Sequence, residues 1–355
     1  MKALILAGGT GSRLRPLTYT SAKQLIPIAN KPIVFFGIEA IRDAGITDIG
    51  VIVGDTAREI EAALGDGSRW GVKITLIPQS APLGLAHAVL TAADFLGDAP
   101  FLMFLGDNLI ADGVTPMVQA FERDRPQALV LVTRVPDPQR FGVVEMRDGR
   151  VVRLVEKPKV PPSDLALVGI YLFDSTILTA ARSIRPSARG ELEITDAIQW
   201  LVDQGHRVDS QLVTGWWKDT GKPEDVLDAN RLILDAIAGR VDGAVSEDSE
   251  LSGRVVIEAG ARVERSIIRG PAVIGANALI QDAYIGPYTS VGAGVQVISA
   301  EVENSILLDG CVVRDLSRRM DASLLGRNVS VARAVGRPAA MTLVLGDNSI
   351  ARVLD

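Results

Sequence analysis

Gly8, Gly9 and Gly11 are followed at short spacing by Arg13, Arg15 and Lys23, and they directly succeed the apolar run Ala3-Leu4-Ile5-Leu6-Ala7. Glycine turns the chain without steric cost and lets backbone N–H groups approach an anion. Arginine adds a fixed positive charge, and lysine a mobile one. A strand that empties into such a loop is the shape of a triphosphate site. Two familiar phosphate loops are excluded by spacing. A Walker A loop ends in Gly-Lys-Ser/Thr, whereas Gly11 is followed by Ser12-Arg13. A dinucleotide fingerprint counted from Gly9 would need a third glycine where Leu14 stands. The remaining alternative is a surface turn with solvated arginines, which the apolar run before it and three basic residues after it disfavour.

Other residues suited to chemistry are spread along the chain. "FLMFLGDN" puts Asp107 at the end of an apolar strand, where open α/β sheets bind ligands and a carboxylate can hold a hard divalent cation. A helix cap or a solvated loop is an equally good reading of Asp107 by itself. Asp219 in "GWWKDTG" follows Trp216 and Trp217, which suit core packing and can also wall a sugar or a base. Glu156 and Lys157 in "LVEKPK" read as a surface ion pair or as ligands. In "RGELEITDA", Arg189, Glu191, Glu193 and Asp196 precede a helix start, with Thr195 or Asp196 near its cap. His87 and His206 are the only histidines, and neither has a visible serine or cysteine partner. Histidine-triad hydrolysis is therefore poorly supported.

The elements that must hold these groups change character along the sequence. Up to about residue 240, apolar runs alternate with amphipathic stretches, which predicts an α/β layered domain with a mostly parallel sheet. Strands are expected at residues 49–53, 72–77, 101–105 and 129–135, and helices at 32–44 and 85–95. Asp148-Gly149 between two β-rich runs predicts an antiparallel hairpin over 143–155. After Gly239, aliphatic residues recur at Leu251, Ile257, Val263, Ile268, Ile274, Ile280, Ile285, Val291, Val297, Val302 and Leu308. Three consecutive steps sum to 17 residues. A triangular parallel β-helix with one inward aliphatic per face generates that spacing. The pattern weakens after Val313, leaving the last forty residues β-rich without a firm assignment.

Composition sets the limits. A chain of 355 residues with 47% hydrophobic content suggests two domains with ample core. A net charge of −6 gives no global attraction to nucleic acid or to an anionic membrane, so phosphate affinity must be local. The one cysteine, Cys311, can form neither an intrachain disulfide nor a cysteine cluster, which suits the cytoplasm. No signal peptide and no membrane-spanning stretch is expected.

Taken in order, "LAGGTGSRLRPLT", "SAKQLIPI", "PLGLA", "GDN", "FGVV", "EKP", "RGELEITD" and "WKDTG" resemble the sugar-phosphate nucleotidylyltransferases. The match is densest with the long form of the glucose-1-phosphate thymidylyltransferase family. The resemblance spans the chain, and as a set these motifs are highly specific. It implies a Rossmann-like nucleotidyltransferase domain at 1–240 with a mixed, mostly parallel sheet, followed by a left-handed parallel β-helix at 241–355. It also implies Mg²⁺-dependent transfer of a thymidylyl group from dTTP to glucose 1-phosphate in a homo-oligomer, with no nucleic-acid or membrane partner. Residue by residue, Gly8, Gly9, Gly11 and Arg13 match the triphosphate loop, and Lys23 matches the lysine that acts on the phosphates. Gln79 and Gly84 match readers of the pyrimidine base, and Asp107 and Asp219 match the metal pair. Gly142, Glu156 and Lys157 match residues that hold the sugar phosphate, with Leu167, Tyr171 and Glu191 lining that pocket. Position 167 departs from the valine common in short-form relatives. The rival expectations are a UTP-dependent uridylyltransferase, a bifunctional acyltransferase that would want a histidine in the repeats, and a binding protein whose catalytic site has decayed.

Overall fold

The computed structural model describes residues 1–333, 343, 345 and 347–352. Its first thirteen strands are β1 (Lys2–Leu6), β2 (Pro27–Ile28), β3 (Lys31–Pro32), β4 (Asp48–Val53), β5 (Lys73–Pro78), β6 (Phe101–Leu105), β7 (Asn108–Ile110), β8 (Ala128–Arg134), β9 (Gly142–Arg147), β10 (Arg150–Glu156), β11 (Leu165–Phe173), β12 (Val208–Leu212) and β13 (Trp217–Asp219). The helices are α1 (Ile33–Asp43), α2 (Ala57–Leu64), α3 (Leu85–Thr91), α4 (Ala93–Leu96), α5 (Thr115–Asp124), α6 (Thr176–Ser183), α7 (Ile194–Asp203) and α8 (Pro223–Leu234). The chain divides into two compact units. The first holds Met1–Gly11, Ser21–Leu25 and Ile33–Asp219; the second holds Ser12–Thr20, Ile26–Pro32 and everything from Thr220 onward.

In the first unit, β6, β1, β4 and β5 run parallel and adjacent, while β11 joins the free side of β6 antiparallel. From β11 the sheet continues through β9 to β10 and separately through β8 to β12, giving nine strands in all. Alternation along β1 decides what each face buries: Leu4 and Leu6 join one hydrophobic cluster, and Ala3, Ile5 and Ala7 the other. Helices α3, α6 and α7 contribute to the first cluster; α1, α2 and α5 contribute to the second. Strands β1, β4 and β6 are buried on both faces, which is why they read as apolar runs, while β5 at the sheet edge is only partly covered.

The predicted hairpin is present, with Asp148 at φ 51° and Gly149 at φ 74°, both left-handed as a two-residue hairpin turn requires. The helix expected over 85–95 is two short helices that meet at Ala92. No glycine or proline marks that break in the sequence. Among the described residues, no helix is long and apolar enough to cross a membrane.

The second unit is a parallel β-helix of three sheets, consistent with the left-handed form, together with α8 and the short hairpin of β2 and β3. The inward rows follow the expected 17-residue register: Ile257 pairs Ile274, Ile274 pairs Val291, and Val263 pairs Ile280. One position differs from the expected spacing. Val291 pairs Leu307, not Leu308, so this coil is one residue short, and Leu307 is the fully enclosed side chain. Residues 320–332 add another coil, while much of the remaining β-rich expectation lies outside the described residues.

Asn230 on α8 is wholly buried, and both ends of its amide are hydrogen-bonded. It accepts from Ala29 N–H (2.8 Å) and from the Ser290 hydroxyl (2.7 Å), and it donates to the Tyr288 carbonyl (3.1 Å). Asn30 adds a bond from its Nδ2 to the Val291 carbonyl at 2.7 Å. A buried polar group of this kind is tolerated because both its oxygen and its nitrogen have partners.

Candidate active site

Parallel strands end together, so the first unit gathers its loops at one edge of the sheet. Ala7 N–H bonds to the Ile52 carbonyl and Gly106 N–H to the Leu6 carbonyl, so β1, β4 and β6 leave the sheet side by side. β1 is flanked by β4 and β6, whose connections run to opposite sides, the arrangement where open α/β sheets bind ligands. The glycines answer to different demands. A Cβ on Gly8 would stand 3.5 Å from the Gln79 Oε1, one on Gly9 would meet nothing within 4 Å, and Gly11 has φ 63°. Gly9 therefore borders open space, and Gly11 holds a left-handed turn. Arg13 lies exposed in the 3-10 turn Ser12–Leu14, and Arg15 stacks over Tyr19 at 4.9 Å.

Lys23 is 7% exposed and ion-paired to Asp107, with Asp219 Oδ1 at 4.0 Å. Two carboxylates distant in sequence thus converge on one cation. Their backbones are held by the antiparallel pair of β13 with β7, which sets Asp219 opposite Asn108. Asn108 is buried, donates to Asp107 Oδ1 at 3.1 Å, and accepts from Trp217 Nε1 at 2.6 Å. Trp217 packs edge-on against Phe141, with centroids 5.6 Å apart. Trp217 thus packs against its neighbours, and through Asn108 it also orients a carboxylate. Gln24, 3% exposed beside Lys23, has an Oε1 with no hydrogen-bond partner among the described residues.

At the expected base-reading positions, Gly84 has φ 108°, and a Cβ there would meet the Leu192 backbone at 2.4 Å. Gln79 Nε2 lies 2.8 Å from His87 Nδ1 and 3.5 Å from the Gly84 carbonyl.

A second cluster forms around β9 and β10. Their register pairs Gly142 with Glu156, and a Cβ on Gly142 would strike Thr195 at 2.6 Å and Leu167 at 2.9 Å. Glu156 accepts from the Thr195 hydroxyl at 3.3 Å and has Lys157 Nζ at 3.3 Å and an Arg189 guanidinium nitrogen at 3.8 Å. Arg189 also contacts Glu191 and the buried Glu193, each at 2.9 Å. Lys157 adopts φ 41°, an uncommon left-handed conformation for a residue with a Cβ, and half-exposes its ammonium. Tyr171 is buried and stacked on Phe173; burial, then Glu156, pushes its hydroxyl pKa up. Burial, then Glu193 and Glu156, likewise raises the Asp196 carboxyl.

The structure thus groups Lys23 with Asp107 and Asp219, Gln79 with Gly8 and Gly84, and Gly142 with Glu156, Lys157 and Leu167. Sequence reasoning missed Gln24, His87, Asn108 and Thr195 as members of these groups, and took Thr195 or Asp196 as the cap of α7. The N-cap is Glu193, and its carboxylate is spent on Arg189 and Ser187. Only the adjacency of Gln24 to Lys23 and of Asn108 to Asp107 could have hinted at those two.

Among the described residues, no three or more His, Cys, Asp or Glu cluster as a metal site would. The donor pair Asp107 and Asp219 fits a hard cation that takes few protein carboxylates and completes its shell from phosphates and water. The Lys23 ammonium already marks that spot as one that stabilises positive charge.

Residues 2–236 match the nucleotidyl transferase family, which is generally metal-dependent. A glucose-1-phosphate thymidylyltransferase of Streptomyces griseus is 55% identical over 354 residues, covering 99% of both chains. Among solved structures, one described as a glucose-1-phosphate thymidylyltransferase of Bacillus anthracis in complex with sucrose is 38% identical. Its TM-score is 0.63, and the match covers 68% of this chain and 98% of that one. A UDP-glucose pyrophosphorylase complexed with UDP-glucose is 25% identical with TM-score 0.61, over 66% of this chain and 99% of that one.

Proposed function

Because the chain belongs to the nucleotidyl transferase family, as a glucose-1-phosphate thymidylyltransferase, we propose that it transfers a thymidylyl group from dTTP to α-D-glucose 1-phosphate. The products are dTDP-glucose and pyrophosphate, the first step toward dTDP-deoxysugars. The observation that carries this reading is the Lys23 ammonium held by Asp107 and Asp219 at the exit of the central strands.

The chemistry follows from charge. A phosphate oxygen of the sugar phosphate, ionised at neutral pH, attacks the α-phosphorus without a general base. The new O–P bond forms as the bond to the β-phosphate breaks, and pyrophosphate leaves with that electron pair. The barrier is the meeting of anions, lowered by positioning and preorganised positive charge. In this reading Gly8, Gly9, Gly11 and Arg13 cradle the triphosphate, and Lys23 turns from its carboxylates toward the α-phosphate. Gln79 and Gly84 face the base, while Gly142, Glu156, Lys157, Leu167, Tyr171 and Glu191 enclose the sugar phosphate. Asp107 and Asp219 would hold Mg²⁺, which when bound supplies charge neutralisation and fixes the phosphates.

We assign the transfer domain to residues 1–240 and the β-helix to 241–355, place the reaction in the cytoplasm, and take the coils to support a homo-oligomer. The likeness to a UDP-glucose pyrophosphorylase makes UTP the second reading, since thymine and uracil differ by one methyl, worth only about 1–3 kcal/mol. Pyrophosphate release measured with glucose 1-phosphate, Mg²⁺ and each nucleotide tests both. The expected result is a higher kcat/KM with dTTP; a higher value with UTP would replace the first reading, and no release with any nucleotide would overturn both.

A further inference from the structure

We propose that His87 is a positioning residue for base selectivity, locking the side-chain amide of Gln79 in the orientation that accepts a hydrogen bond from a pyrimidine N3–H. The inference rests on the reading of Gln79 as a base-facing residue. Its own ground is a set of contacts that the transfer chemistry does not use.

An amide side chain presents a donor or an acceptor according to its rotation by half a turn, so a reading group must be fixed by its neighbours. The Gly84 carbonyl can only accept, and it lies 3.5 Å from Gln79 Nε2, which marks that end of the amide as the nitrogen. The shorter contact, 2.8 Å from Nε2 to His87 Nδ1, must then be donated by the amide and accepted by the ring. Nδ1 therefore carries the lone pair, and the ring proton sits on Nε2. The His87 ring projects from α3, the helix opened by Gly84, and Thr91 Oγ1 lies 3.5 Å from the same Nδ1. Thr91 spends its own proton on the His87 carbonyl at 2.9 Å. With Nε2 occupied in this way, Oε1 is the free end, and it faces the glycine turn after β1, 3.5 Å from where a Cβ on Gly8 would stand.

A free amide oxygen discriminates among pyrimidines by their edges. Thymine and uracil carry a proton on N3 and donate it to that oxygen. Cytosine has a lone pair on N3 and meets Oε1 with acceptor against acceptor, a mismatch that a site built on hydrogen bonds rejects strongly. Without His87 the amide keeps only the long contact to Gly84. It can then rotate and offer Nε2, the group cytosine accepts.

The test uses the full chain, with pyrophosphate release from dTTP and from dCTP at fixed glucose 1-phosphate and Mg²⁺. His87→Leu removes the acceptor. It is expected to raise KM for dTTP about tenfold, to change kcat less than about twofold, and to lower the dTTP-over-dCTP ratio of kcat/KM about tenfold or more. His87→Asn, whose Oδ1 stands near the place of Nδ1, is expected to restore most of that ratio. Gln79→Ala is expected to lower the ratio with His87 intact. If Gln79→Ala lowers it while His87→Leu leaves it unchanged, or if Asn fails to restore it, the His87 proposal is overturned and the reading of Gln79 stands. If neither variant changes the ratio, the base-facing reading of Gln79 falls, and this inference with it. Circular dichroism identifies a variant that has not folded, and the Asn variant then decides alone.

Discussion

Replacing Lys23 by methionine keeps the length of the side chain and deletes its charge between two carboxylates. At 4 Å and an effective dielectric of 20, one such attraction is worth about 4 kcal/mol before desolvation, and breaking a buried pair typically costs 3–5 kcal/mol. Asp107 and Asp219 keep 21% and 22% of their side-chain surface, so water screens part of the charge left behind. The net loss expected is about 2–3 kcal/mol. At about 2–4 °C per kcal/mol, that lowers the first thermal transition by about 5–10 °C. The variant should also gain more from a divalent cation than the parent does, because the two carboxylates no longer have an ammonium to be displaced. Activity should not return with the metal, since the lost charge is the one proposed to act on the phosphates; a deficit of about 10³-fold is expected. Scanning calorimetry with and without excess Mg²⁺, beside pyrophosphate release, reads each part. A variant as stable as the parent that gains no more from Mg²⁺ would refute the idea that Lys23 shares its place with a cation.

Gly84→Ala combines a left-handed φ with a Cβ 2.4 Å from the Leu192 carbonyl oxygen, so it should cost about 3 kcal/mol or more, read as a fall in the denaturation midpoint. Asp196 has a folded-state pKa raised above its unfolded value, so its contribution favours folding at acid pH and is lost as pH rises through the raised value. Asp196→Asn should therefore raise Tm at pH 7 relative to the parent, with the advantage vanishing below the ordinary aspartate range; an advantage that grows toward acid pH would show the sign to be wrong. Trp217→Phe strips the donor from Asn108 and should destabilise by about 1–3 kcal/mol, weakening Mg²⁺ activation through a less well oriented Asp107, measured as the Mg²⁺ concentration for half-maximal rate.

Much of the scaffold was legible because it is written in local patterns. The run at 101–105 could only be a strand buried on both faces, Asp148-Gly149 could only turn tightly, and the 17-residue step demanded a coil. What escaped were features set by partners far along the chain. The shortened coil that moves the inward position from Leu308 to Leu307 leaves both leucines buried, so an aliphatic pattern cannot tell them apart. The break at Ala92 carries no glycine or proline. The links from Trp217 through Asn108 to Asp107, and from His87 to Gln79, exist only once strands and helices have met. Residue types can nominate a carboxylate or an amide, but the neighbour that fixes its orientation is a product of the fold.

The membership of Ser12–Thr20 and Ile26–Pro32 in the second unit has a consequence for synthesis. Ala29 waits for Asn230, and Asn30 for Val291, a separation of 261 residues. At ribosomal rates of about 5–20 residues per second, that delay is roughly 15–50 s. The sheet of the first unit has all its strands by Asp219, yet the segment just after Lys23 gains these partners only when about half of the β-helix has been made. A nascent chain cut short before α8 would carry the glycines, the carboxylates and the lysine and still lack the anchors that hold its opening segments in place.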